Sequence, residues 1–541
     1  MKAIKRNFTK LLPSIILLFL LTSCSYLGYY SLKKITLNIP EQYRDKVIKA
    51  IKSAKKNKGE LKKVLFHYRN DPKKLEAASF LIAYMPDHCF ADIILVDSLE
   101  NEIKFNVLNF NNYREIHDYL DSLEAEREQE FHWKLKEKRE DIKTVSANFL
   151  ISHVDTAFLS YETLQWTQQL GWQNFLEYVL PYRGSSEPIS DWRTYFWNEF
   201  SSLRDSTYDP LKLACLINDR CKKVFTFKDV FYLHPTDLGL EQMLEYGLGR
   251  CEDMTNFTIY AMRANGLAVT SDYTPHWPDG TNNHAWNSLI LPDGKVIPFM
   301  GCEANPGKYK LHRKIAKVYR KLFFEEEGSL ASQLSENEKV PGWLSGKNYR
   351  DVTDKYVETT DVTLNLNPEK KWAYLAVFNS NKWKAIHWGK IDSTGKTIFT
   401  KMGKDIAYLP TYYEKVDSVK KKDKKDKYEL KGADSPFILT NDGFIENFDN
   451  KPVEERLKND NSFVADRIAK GDKYKIKLDS KYKLYIWAEN DWQTLVDSIT
   501  APADSIIFDY NYPNSLYKLE DEDENPETRI FTIEQRKQKI W

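Results

Sequence analysis

Residues 247–300 constrain the fold more than any other stretch, because glycine and proline cut them into a helix and three strands. Gly247 and Gly249 supply tight backbone geometry immediately before Cys251. Glu252 to Asn265 then reads as a helix, with Met254, Phe257, Ile259, Ala261 and Met262 buried and Gly266 as its stop. Leu267 to Tyr273 reads as a strand leaving that helix. A loop rich in Pro, Asp, Gly and Asn runs from Pro275 to Asn283, and His284 to Leu291 reads as a second strand. Pro292-Asp-Gly294 is a turn signal, and Lys295 to Met300 a third strand.

This layout puts Cys251 at a helix N-terminus, where unpaired N–H groups favour thiolate over thiol. Thiolate is the form that attacks acyl carbons. A cysteine at a helix start and a histidine at a strand start, packed across a sheet, suit a Cys251–His284 dyad. Each residue also has a plainer reading: Cys251 as a buried core cysteine and His284 as a structural hydrogen-bonding group. Trp286 reads as a wall of the cleft or as core. His276 and Trp277 line a substrate groove or simply sit on an exposed loop. With Asn287, Trp277 and Trp286 make up the substrate-binding candidates. Glu252 and Asp253 serve equally well as first-turn helix charges.

The order of Cys-bearing helix, strand, His-Ala-Trp strand, Asp-Gly-Lys turn and strand resembles the transglutaminase-like superfamily. The core of that superfamily is similar to papain-type cysteine proteases. The matching stretch runs from about Leu240 to Pro306, with a looser extension upstream. The resemblance implies cysteine acyl transfer on a peptide, protein or glycopeptide substrate, with no metal or organic cofactor. The third member of the family's triad is an Asp at the end of the strand after the turn, and here register puts Met300 at that place. Methionine cannot accept the imidazole N–H. Glu303 is the nearest carboxylate that could take the role, with Asn305 as the alternative orienter. The competing expectation is a cleft without activity that recognises a peptide or glycan. Cys302 has no Cys or His around it at zinc-type spacing, so no metal site is expected.

The N-terminus carries an address. Lys2, Lys5, Arg6 and Lys10 precede an apolar run from Leu11 to Leu21, and Leu21-Thr-Ser-Cys24 closes it with small residues before a cysteine. That resembles a bacterial lipoprotein signal, which implies lipid modification at Cys24 and a body tethered to a membrane in the cell envelope. Ser25-Tyr26-Leu27-Gly28 lacks acidic residues, which favours the periplasmic side over surface display. No other apolar run is long enough to span a bilayer. The net charge of +1 gives no case for nucleic acid as a partner. Of 6 cysteines, those other than Cys24 are odd in number and scattered, which argues against a disulfide framework.

At 541 residues the chain is too long for one ordinary domain. The expected architecture is α+β and multidomain: a signal peptide over 1–24, a helical N-terminal region over 25–150, a transglutaminase-like α+β core over 151–340, and β-sandwich modules over 345–432 and 433–541. Helical spacing marks Val47, Ile48, Ile51 and Ala54, then Leu61, Val64 and Leu65, then Leu75, Ala78, Phe80, Leu81 and Ile82. Glu124 to Asp141 reads as a solvated helix face, and Lys310 to Glu327 as a basic amphipathic helix. Arg183, Glu187 and Arg193 read as a polar cluster, in a buried structural ion pair or near the cleft. From Asp351 onward short alternating strands take over, including 362–366, 372–378, 383–388, 474–478, 482–487, 505–508 and 529–533. Lys420 to Lys427 reads as an exposed loop. Trp383, Trp388, Trp487 and Trp492 are core residues or a carbohydrate-stacking platform.

Overall fold

The computed structural model describes residues 36–335, 337–416, 427–522 and 525–541. Cys24 with its apolar leader, and all but the last residue of the Lys420–Lys427 run, lie outside the described residues. Helix and strand occur in near-equal measure, 33% and 30%, which makes this a mixed α+β chain. It divides into two compact units. The first runs to Ser271 and adds Trp286–Tyr309; the second joins Asp272–Ala285 to Lys310–Trp541.

The first unit opens with helices Glu41–Ser53, Lys58–His67 and Pro72–Tyr84. Their buried faces hold Val47 and Ile51, then Leu61, Val64 and Leu65, then Leu75, Phe80 and Leu81, as the 3.6-residue spacing predicts. The third is started by Asp71, whose carboxylate accepts from the Lys74 N–H at 3.1 Å, with Pro72 at its first position. The region is not wholly helical. Strands β1 (Cys89–Val96) and β2 (His132–Glu140) pair antiparallel, so the expected helix face over 124–141 is helix only to Arg127 and strand from His132. The charge pattern misleads there because β2 is exposed along nearly its whole length and shows no apolar period.

A buried polar network ties the later helices together. Arg183 forms a two-pronged pair with Asp141 at 2.6 and 2.5 Å. Glu187 accepts from the N–H groups of Gly184 and Ser185, both at 2.7 Å. Arg193, fully buried, donates to the carbonyls of Val179 and Arg263 at 2.6 and 2.9 Å. These three residues are structural: each satisfies groups that burial would otherwise leave unpaired.

Short strands β3 (Thr226–Phe227) and β4 (Leu248–Gly249) pair in parallel just before the central helix, Cys251–Ala264. Every residue of that helix except Glu252 is buried. It ends at Gly266, whose φ of +72° is the left-handed conformation that glycine adopts without strain. Strands β5 (Ala268–Thr274), β6 (His284–Ile290) and β7 (Val296–Phe299) follow within a residue or two of their expected limits. In the first unit they lie in the order β7-β6-β5, with β6 and β7 antiparallel from Asn287↔Phe299 to Ile290↔Val296.

In the second unit the far end of β5 pairs with β8 (Tyr319–Lys321), and β8 with β9 (Tyr349–Asp351). The expected basic helix over 310–327 is therefore absent, and its middle is β8. Arg320 forms a two-pronged pair with Asp272, both bonds at 2.8 Å, and Lys317 is buried against Asp351. Those partners supply what a solvated helix face would have taken from water. Next come β10 (Thr359–Asn365), β11 (Trp372–Asn379), β12 (Lys382–Lys390), β13 (Lys396–Gly403), β14 (Ile406–Val416), β15 (Lys427–Gly432), β16 (Phe437–Leu439) and β17 (Ile445–Asn447). β10 pairs with β13, and a six-stranded sheet runs β12-β11-β14-β16-β17 with β15 beside β14. Val362, Leu375, Val377, Ile386, Phe399, Tyr408 and Phe437 form their common core.

The last sheet is built from β18 (Phe463–Ala465), β19 (Lys481–Ala488), β20 (Asp491–Thr500), β21 (Ile506–Phe508), β22 (Tyr517–Asp521), β23 (Ile530–Glu534) and β24 (Lys537–Ile540). Its order is β20-β19-β22-β23-β24-β18-β21, antiparallel except where β18 meets β24. The expected strand over 474–478 is instead a 3-10 turn at Asp472–Tyr474 and a single bridge at Lys475. Three hairpins close on two-residue turns with positive φ at both positions: Ser380-Asn381, Glu489-Asn490 and Gln535-Arg536. That is the turn geometry whose twist matches antiparallel strands.

Candidate functional site

The backbone before Cys251 is fixed by close packing. A Cβ on Gly249 would lie 2.6 Å from the Phe225 ring and 2.7 Å from Asp253 Cβ, so only glycine fits. Asp253, in the first turn, accepts from the Arg250 N–H at 3.0 Å and the Leu238 N–H at 2.8 Å. It thereby caps the helix that Cys251 begins. Burial, and then the nearby Asp237, raise its carboxyl to about 7 despite those two donors.

Cys251 is 8% exposed, and its Sγ–H donates to Glu252 Oε2 at 3.0 Å. The helix terminus alone would favour thiolate. Burial, followed by the Glu252 carboxylate, pushes the thiol up instead. Arg250 brings some compensation, its Nε lying 3.7 Å from the same Glu252 oxygen, but its Nη2 is held by Asp237 at 2.7 Å. In this resting arrangement the sulfur is a thiol.

Two residues that sequence reasoning missed stand near this sulfur. Tyr232 is raised to about 12 by burial and then by Cys251 and Glu252. Tyr309 is raised by burial and then by Glu303 and Cys251. Tyr309 therefore lies within electrostatic reach of both the nucleophile candidate and the orienting-acid candidate. No sequence signal marks either tyrosine, since each comes from a loop or short turn far from Cys251 in the chain.

Glu303 is exposed, on a tight turn in which Met300 and Ala304 exchange backbone hydrogen bonds at 3.0 and 2.9 Å. Asn305 is engaged at both ends, accepting from Asn218 and donating to Asp219, each at 2.9 Å. Trp286 and Asn287 are fully buried. The Asn287 amide clamps the helix to the turn after β7, donating to the Thr255 carbonyl and accepting from the Gly301 N–H, both at 3.1 Å.

His284 is the first residue of β6 and half-buried, within the stretch that belongs to the second unit. Trp277, 7% exposed, stacks on it with ring centroids 6.1 Å apart and planes at 27°. The loop that carries Trp277 is held firmly. Arg529 donates to the carbonyls of Pro278 and Gly280, and the Asn379 amide to those of Trp277 and Asn282 at 3.0 and 2.9 Å. His276, in the same loop, is lowered to about 4 by burial and the nearby Lys384, so its imidazole is neutral at physiological pH.

Of the tryptophans considered as a sugar platform, Trp383, Trp487 and Trp492 pack edge-to-face on one another inside an apolar cluster with Phe378. Trp388 is half-buried elsewhere in the unit. Among the described residues there is no group of three His, Cys, Asp or Glu that could hold a metal ion, and no helix is long and apolar enough to cross a membrane. The chain matches no family model and no curated protein.

Proposed function

We propose that this protein is a bacterial envelope lipoprotein, anchored through Cys24, whose transglutaminase-like domain performs cysteine acyl transfer on an amide-bearing peptide, protein or glycopeptide. The observation that carries the reading is the placement of Cys251 as the first residue of a buried helix, followed in order by a strand, the His284 strand, a turn and a third strand. In this reading His284 takes the thiol proton and the sulfur attacks the amide carbonyl. The tetrahedral intermediate collapses to a thioester as His284 protonates the departing amine, and water then releases the acyl group. Glu303 serves as the acid that orients the imidazole. The Cys251 N–H, unpaired at the helix start, is the oxyanion donor. The antiparallel sheets of the second unit are read as two β-sandwich modules.

A second reading, a catalytically inactive domain that binds a peptide or glycan, draws support from the thiol held by Glu252 and from Met300 where the family has its Asp. Alkylation of Cys251 by iodoacetamide across pH separates the two, using wild type and His284→Ala with Cys251→Ala as blank. A thiolate formed below the free-thiol value of about 8.5, and lost with His284, supports the enzyme. Slow alkylation that ignores His284 leaves the binding protein.

A further inference from the structure

The second unit contains a cleft of about 640 Å³, formed where β8 and β9 meet β12 and β13. That volume lies within the range of small-molecule sites. We propose that it binds a saccharide that carries a carboxylate.

The aromatic wall comes first. Tyr349 and Trp388 line the cleft, and Trp388 is half-buried, held edge-to-face by Trp372 at 5.4 Å. A fixed aromatic face with one side open suits the C–H face of a sugar ring. Behind it lies a polar floor. His387 Nδ1 is 2.9 Å from the Tyr319 hydroxyl, and its Nε2 is 3.4 Å from Thr400 Oγ1. Hydroxyls and an imidazole can exchange hydrogen bonds with sugar hydroxyls in either direction.

Charge selects the acid. The lining contains three carboxylates, and each is already engaged. Asp351 accepts from Thr353 and holds Lys317; Asp392 accepts from the Thr394 N–H at 2.8 Å and hydroxyl at 2.7 Å; Glu326 takes Arg350 Nε at 2.6 Å. Lys390 and Lys396, at the facing ends of β12 and β13, are exposed and make no side-chain hydrogen bond or ion pair with other described residues. The uncommitted charge at the cleft is therefore positive. Because Arg350 is occupied by Glu326, the planar fork that best grips phosphate is not on offer, which favours a carboxylate.

The test is isothermal titration calorimetry on the lipid-free full chain with three probes: a uronic-acid trisaccharide, a neutral hexose trisaccharide and sodium acetate. The uronate trisaccharide should bind, the other two at least about tenfold more weakly, which is 1.4 kcal/mol. Lys390→Gln/Lys396→Gln should weaken uronate binding by about tenfold and remove most of its salt dependence. Trp388→Ala should abolish binding of the acid sugar. If that variant loses its far-UV circular dichroism, the lysine pair decides, since both lysines are exposed and their replacement spares the fold. No uronate binding, equal binding of the neutral sugar or acetate, or indifference to the lysine pair would each overturn the assignment.

Discussion

The thiol of Cys251 donates its hydrogen bond to the carboxylate of its own neighbour, Glu252, at 3.0 Å. Two opposing effects meet at that sulfur. A helix N-terminus stabilises an anion by about 0.3–1 kcal/mol at exposed sites and about 2 kcal/mol at best. Burial beside a carboxylate acts the other way and outweighs it, so the thiol is raised.

Glu252→Gln should therefore make Cys251 more reactive. A drop of one unit in the thiol's pKa corresponds to about tenfold more thiolate at neutral pH. Iodoacetamide rates at pH 7–8 should rise by about that factor in the variant. An unchanged or slower rate would mean that Glu252 does not hold the thiol down.

Asp253 should impose a pH dependence on stability. Its carboxyl is raised from 3.8 to about 7 by burial and Asp237, so the fold binds this proton more tightly than the unfolded chain does. The contribution is complete below about pH 3.8 and is lost as pH rises through about 7. Asp253→Asn should flatten the fall in urea midpoint between pH 4 and 7. A slope identical to wild type would sink the assignment.

The helix and the strands around Cys251 and His284 were legible because Gly247, Gly249, Gly266 and the Pro292-Asp-Gly294 turn act locally, each fixing the backbone within a few residues. What was not legible depends on distant partners. Lys310 to Glu327 has helical spacing, but Tyr319 and Arg320 pair with Tyr273 and Asp272, and Lys317 finds Asp351. Likewise β2 is charged along its length and is a strand because β1 lies beside it. At the candidate site, the helix-terminal position of Cys251 could be read from sequence. The burial that reverses its preference, and the approach of Tyr232 and Tyr309, could not.

The Asp272–Arg320 pair should be costly to break. Asp272 is fully buried and also accepts from the Tyr356 hydroxyl at 2.6 Å. Asp272→Ala leaves a buried guanidinium without its partner and should cost about 3–5 kcal/mol, read from the denaturant midpoint. The double variant Asp272→Ala/Arg320→Met should be less unstable than the two single losses added together. Strict additivity would show that the pair is not coupled.

Arg529 is 2% exposed and serves the carbonyls of Pro278, Gly280, Phe378 and Trp541. Arg529→Met should strand several of these acceptors and cost roughly 3 kcal/mol or more. Hydrogen exchange should then show faster opening across residues 275–283 while the Cys251–Ala264 helix keeps its protection. Unchanged exchange in that loop would remove Arg529 as its anchor.

The reach of that one guanidinium bears on how the chain matures. Gly280 and Arg529 are 249 residues apart, so a ribosome that makes about 5–20 residues per second delivers the anchor tens of seconds at most after the loop. Throughout that interval the approach to His284 lacks its clasp. A chain stopped short of Arg529 would keep its Cys251 helix and lose the fixed Trp277–His284 stack, so a late nonsense mutation should disarm the site while leaving every candidate catalytic residue in place.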